Sequence, residues 1–262
     1  MRIRVLGTKY LTSILAALTL SAAQTIINND TTWSDDIIIR NELIISRNAA
    51  LTIEEGVTVF IDYIDTDNDE IGETEISVYG SININGKQDS VVFIKPLQKT
   101  FNKSYWKGIT FHESDNPSEI DFLTLSNAVT GLDIRSRFRG RGLLLDDCGS
   151  VGINVESTST DSIDLKNIEI ANSGGPGLFI EKGNVFIDWA HIHRCQGTGI
   201  VNDKLGVVDL RNTKVLKNKD NGISNYGTMT AYNLLIKENR HGIMISSGIA
   251  VITKGSILNN RV

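Results

Sequence analysis

Apolar positions recur in this chain with a period of about 22 residues, set by two parallel files. A glycine followed by an aliphatic residue occurs at Gly108-Ile109, Gly131-Leu132, Gly152-Ile153, Gly177-Leu178, Gly199-Ile200, Gly222-Ile223 and Gly242-Ile243, in steps of 23, 21, 25, 22, 23 and 20 residues. A second file runs beside it through Leu125, Leu145, Ile170, Ile192, Val215, Ile236 and Ile257. Three residues beyond each member stands a small or polar side chain: Ala128, Cys148, Ser173, Cys195, Asn218, Asn239 and Asn260. Between the files lie short alternating stretches such as Ile163-Asp164-Leu165, Val208-Asp209-Leu210 and Val251-Ile252-Thr253, too short for helices and rich in β-branched residues.

Three short strands per repeat, with their aliphatic side chains turned one way, cannot bury an apolar face alone. Stacked on the next repeat at about 4.8 Å, they close a continuous core and pair every backbone group with a neighbour. The pattern therefore predicts an all-β protein, a single-stranded right-handed parallel β-helix of roughly ten coils, on the order of 50 Å long. A β-sandwich would not keep a 22-residue period in two registers, and the L-x-x-L-x-L-x-x-N spacing of a leucine-rich repeat is missing. The recurring glycine is expected where a turn needs positive φ or lacks room for a Cβ. Asn218, Asn239 and Asn260 are expected to stack as an amide ladder.

The N-terminal segments Thr32-Trp33, Ile37-Ile38-Ile39, Leu43-Ile44-Ile45 and Leu51 to Val59 (LTIEEGVTV) resemble the opening coils of secreted bacterial right-handed parallel β-helix proteins of the pectin-lyase-like superfamily. Gly80 to Gly86 (GSININGKQ as far as its second glycine), Val91-Val92-Phe93 and Trp106-Lys107-Gly108-Ile109 continue the likeness. It spans nearly the whole chain after residue 23 and speaks for architecture, not for a reaction. Within that superfamily Asn184-Val185-Phe186-Ile187-Asp188 is similar to the start of the pectate-lyase signature, but Trp189 stands where a histidine follows. Arg240-His241-Gly242 is the nearest fragment of a polygalacturonase set, without its acids.

Composition adds an address. Residues 1–10 carry Arg2, Arg4 and Lys9, Leu11–Leu20 is largely apolar, and Ser21, Ala22 and Ala23 suit a leader peptidase. The apolar run is too short to span a bilayer, so residues 1–23 read as a secretory signal peptide and not as a membrane anchor. No cysteine follows to take a lipid anchor. Cleavage would leave 23 basic against 31 acidic residues, a net charge of −8, which disfavours nucleic acid as a partner. Residues 24–107 then form N-terminal coils with an acidic insertion, and 108–262 regular repeats whose last coil is incomplete. An open end of this kind predicts continuation past residue 262 or end-to-end association.

Several constellations could carry chemistry. Asp65, Asp67, Asp69 and Glu73 occupy positions 1, 3, 5 and 9 of an acidic loop, the spacing with which carboxylates wrap calcium, although Glu70 holds the position of the usual glycine and Ile76 that of the last acid. Arg135, Arg137, Arg139 and Arg141 alternate and could grip the anionic groups of an acidic polysaccharide, or else pair with Asp146, Asp147 and Glu156 on adjacent coils. His191 and His193 flank inward Ile192 and are expected to point outward, with Glu169 and Lys214 on the neighbouring coils. Asp164, Asp188 and Asp209 recur near one strand position and read as a charge ladder or paired carboxylates. Cys148 and Cys195 are expected two coils apart, too far for a disulfide.

Together these point to a secreted, cell-surface or periplasmic β-helix module that binds a polysaccharide or cell-surface glycan without catalysis and requires no cofactor, calcium being an optional ligand. Two alternatives stand beside it. One is a lyase or glycoside hydrolase acting on acidic glycans through Asp188 with Arg137 or Arg139; the other is a purely structural rod.

Overall fold

The structure, a computed structural model, describes residues 24–100, 102–158 and 163–261; the leader-like segment 1–23 lies outside them. Among the described residues there are 23 strands, all in one parallel-paired sheet, and no helix. The chain winds in about ten turns, each coil pairing with the next.

The two files read from the sequence stack as expected. Leu125, Leu145, Ile170, Ile192, Val215, Ile236 and Ile257 are successive register partners, and all but Ile257 are fully buried. Ile109, Leu132, Ile153, Leu178, Ile200, Ile223 and Ile243 form the second file. A third, Ile120, Gly140, Leu165, Ile187, Leu210, Ala231 and Ile252, completes the triangular core. The N-terminal coils depart from the common period: Thr25 pairs with Leu43, 18 residues on, whereas Leu43 pairs with Ile76 across the acidic insertion. The strand Ile249–Leu258 is exposed at every residue but Ala250.

The glycine file owes its identity to space, not to backbone sign. Only Gly108 among its members has positive φ. At Gly222 a Cβ would stand 2.5 Å from Ile236 Cγ2, 2.7 Å from Gly242 O and 2.9 Å from Asn239 Nδ2. The aliphatic file and the amide slot of the following coil thus occupy the volume that a side chain would need, which is why the two sequence registers keep step.

Turning is done elsewhere, by single residues in the left-handed region. Phe122, Gly142, Asn167, Trp189, Asn212, Asn233 and Lys254 form one such corner file, and Asn127, Asp147, Asn172, Arg194, Lys217, Glu238 and Asn259 a second. Inter-coil pairing continues through these corners, as in Phe122 N to Arg141 O at 2.7 Å and Asn212 N to Tyr232 O at 3.0 Å. A one-residue corner lets a strand bend without leaving the ladder, so Leu178–His193 runs over three faces as one element. Each non-glycine corner costs about 1–2 kcal/mol of backbone strain, offset by the bonds retained.

The predicted amide ladder is present. Asn239 Oδ1 accepts from Asn218 N at 2.9 Å and Asn218 Nδ2 at 3.0 Å, and Asn260 Oδ1 accepts from Asn239 N and Nδ2 at 2.9 and 3.2 Å. A buried pair not anticipated from the sequence, Asn202 Nδ2 to Asn225 Oδ1 at 2.7 Å, performs the same task at another turn.

Candidate functional site

One corner file borders a groove that runs parallel to the axis, with a volume of about 490 Å³. Its floor and walls are Phe122, Gly142, Asn167, Trp189 and Asn212 from the corner, and Thr124, Leu144, Glu169, His191 and Lys214 from the strand face beyond it. Trp189 has φ 59° and is 62% exposed, because a left-handed corner throws the side chain off the wall of the solenoid. Phe122, three coils away or about 14 Å, lies over Gly142, where a Cβ would meet its ring at 2.6 Å. A second depression of about 390 Å³ lies on the far side of Trp189, lined by Asn233, Leu235 and Lys254 among others. The corner is fastened from outside: Asn233 Nδ2 donates to Asn212 Oδ1 at 2.8 Å, and Asn212 Nδ2 to Asp188 Oδ1 at 2.7 Å.

Glu169 and His191 line this groove, and His193 stands beside them, buried at its edge. Glu169 is the register partner of His191, and its Oε1 lies 2.8 Å from His193 Nε2. The two imidazole rings have centroids 4.1 Å apart, inclined by 31°. His193 does not stand free in solvent as strand alternation suggests; its side chain is 7% exposed, because the neighbouring coil covers what a lone strand would leave open. Burial pushes the His191 imidazole below its ordinary range, and the neighbouring His193 adds to this, as do Lys214 and Arg194, against the pull of Glu169.

The arginine run does not form one cluster. The chain bends at Ser136, so Arg135 lies on a different face from Arg139 and Arg141. Arg135 pairs with Asp133 at 2.6 Å and lies 3.8 Å from Glu156; Arg139 pairs with Glu119 at 3.2 Å; Arg141 forks onto both oxygens of Asp121 at 3.1 and 2.6 Å. Pairing with neighbouring carboxylates is therefore the arrangement found, mostly with acids other than those expected: Asp146 accepts from Asn172 and Asp147 pairs with Lys103. Arg137 is exposed on the turn. Asp188 sits two coils beyond Arg139 and in the adjacent column, between Lys166 and Arg211, while Asp164 and Asp209 flank Phe186 in the other. Register keeps Asp188 and Arg139 apart.

In the acidic loop Asp65, Asp67 and Asp69 bring carboxylate oxygens within 4.8 Å of one another, but Glu73 turns away to pair with Lys107 at 2.7 Å. The loop is shaped by its own bonds. Asp65 accepts from Asn68 N, Glu70 N and Tyr63 Oη at 2.7, 3.1 and 3.0 Å, and Asp69 from Ile71 N at 2.8 Å. Glu70, at the position calcium loops give to glycine, has φ 68°. The two thiols are buried and unpaired with each other; burial raises that of Cys148 to about 12.

Residues 141–262 match the family described as the right handed beta helix region. The chain folds as a right-handed parallel β-helix. Among solved structures, the β-helix is similar to the periplasmic alginate epimerase AlgG, with a TM-score of 0.41 and 11% identity over 86% of this chain and 76% of that one. Two variants of that enzyme align over the same shares at 9% identity, with TM-scores of 0.41 and 0.40. A search of curated proteins finds no match. Trp189, the residue that interrupts the pectate-lyase-like segment, is the most prominent side chain of the groove in this β-helix. The only sequence signal for it is the corner spacing it shares with Asn167 and Asn212.

Proposed function

We propose that this β-helix is a secreted or cell-surface glycan-binding module whose ligand lies along the groove between Phe122 and Trp189. The observation that carries the reading is the exposed Trp189 indole on a corner that holds it in place. A pyranose ring presents one face of C–H groups and an equator of hydroxyls, so it binds where an aromatic plane is flanked by hydrogen-bonding side chains. Asn167, Asn212, Thr124 and Glu169 supply that equator here. Because the paired arginines have no spare charge to offer an acidic polymer, the reading favours neutral glycans.

The test is a glycan array with the wild-type chain and with Trp189→Ala. Stacking losses of about 0.5–1.5 kcal/mol per aromatic contact correspond to roughly 2- to 12-fold weaker binding. A glycan bound equally well by both proteins would refute the placement, and an array with no hits would refute the function.

A further inference from the structure

We propose that Glu169, His191 and His193 bind a divalent transition metal ion of the zinc class, open on one side to the groove beside Trp189. Each residue offers one donor atom, and the three donors lie within 4.8 Å of one another. In a tetrahedral zinc site, with metal–ligand distances of about 2.0–2.1 Å, neighbouring donors stand about 3.4 Å apart. The 2.8 Å between His193 Nε2 and Glu169 Oε1 and the two rings 4.1 Å apart, inclined by 31°, reach that arrangement with small side-chain rotations.

The fold holds the set in place. His191 and His193 leave the same side of one strand because Ile192 between them is fully buried, and parallel register puts Glu169 beside His191. His193 is enclosed, so its ring cannot swing away, whereas Glu169 is about half exposed and the remaining coordination position faces solvent. Two imidazoles with one carboxylate suit zinc and its neighbours in the transition series; calcium and magnesium want oxygen donors alone. The opposing charges are Lys214, register partner of His191 on the next coil, and Arg194, whose Nε donates to Asn172 Oδ1 at 3.2 Å. They weaken the site without occupying it.

The experiment is titration of the full chain, stripped with a chelator and dialysed, with zinc by calorimetry and with cobalt(II) by visible absorption, in the absence of any glycan. One equivalent should bind, with the d–d bands of low-coordinate cobalt. His191→Ala and Glu169→Gln should each weaken binding by about tenfold or more with unchanged thermal unfolding of the metal-free protein. Lys214→Ala should tighten it ~2- to 10-fold. An Asp65→Asn, Asp67→Asn double variant should bind like the wild type. Absence of a stoichiometric site, binding that survives His191→Ala and Glu169→Gln, or loss of the ion in the loop variant would each overturn the proposal. None of these readouts depends on glycan binding, so either proposal can fail alone.

Discussion

Removing one amide from the interior ladder should cost far more than removing one from the corner. Asn239 is fully buried and makes four side-chain hydrogen bonds: it accepts from Asn218 N and Nδ2, and donates to Val215 O at 3.0 Å and Asn260 Oδ1 at 3.2 Å. Asn239→Ala leaves the Asn218 amide N–H and the Val215 carbonyl without those partners inside the solenoid, while Asn218 Nδ2 keeps only a contact of 3.5 Å with Ile192 O. A buried orphaned group costs about 1–3 kcal/mol, so two or three of them give roughly 2–5 kcal/mol after local relaxation. Asn233→Ala removes one exposed bond to Asn212 and puts alanine in a left-handed position that asparagine tolerates better, and should cost about 1 kcal/mol in all. Urea unfolding of the three proteins measures the difference, and m must be compared because coils with nearest-neighbour coupling can unfold separately. Equal losses for Asn239→Ala and Asn233→Ala, or a loss under 1 kcal/mol for the first, would refute the ladder as a source of stability.

Three further outcomes follow from the packing and the titrating groups. Gly222→Ala has normal backbone sign, so its Cβ meets Ile236 and Gly242 by pure crowding; about 1–3 kcal/mol should be lost in denaturant unfolding. His112 and His191 are both held below the ordinary imidazole range, first by burial, and the folded state therefore binds fewer protons than the unfolded chain. Stability should be flat above about pH 6.5 and fall as pH drops below it, read as Tm against pH. With the Cys148 thiol at about 12 and Cys195 raised by burial, a thiol reagent at pH 8 should leave the native protein unlabelled and modify two cysteines in denaturant.

The stacking was legible because it is enforced by volume. A residue other than glycine at Gly222, or a polar one at Ile236, has no place in the core, so both files survive in the sequence as a period. Asn218, Asn239 and Asn260 were legible for a related reason: a buried amide needs its partner one coil away. The corners were not, since Trp189, Arg194 and Glu238 turn the chain in a conformation their own chemistry does not announce, and the turn is imposed by the ladder on either side. With the corners hidden, the groove was hidden too. The arginine run divides for the same reason, since alternation along the sequence implies one face only while the strand stays straight, and here it bends at Ser136; the pairing with neighbouring acids that the sequence also offered is the arrangement found. His193 shows the converse error, a residue outward by strand parity yet covered by the coil beneath it.

The corner file has a consequence for how such a surface can change. Because pairing of the coils on both sides fixes the bend, the winding does not dictate which side chain stands there, and phenylalanine, asparagine, tryptophan and lysine all occupy equivalent places. An aromatic moved from 189 to 167 would carry its contact along the rod by one repeat, about 4.8 Å, with the Asn233–Asn212–Asp188 fastening left as it was. The solenoid therefore works as a graduated scale on which recognition can be relocated in fixed increments.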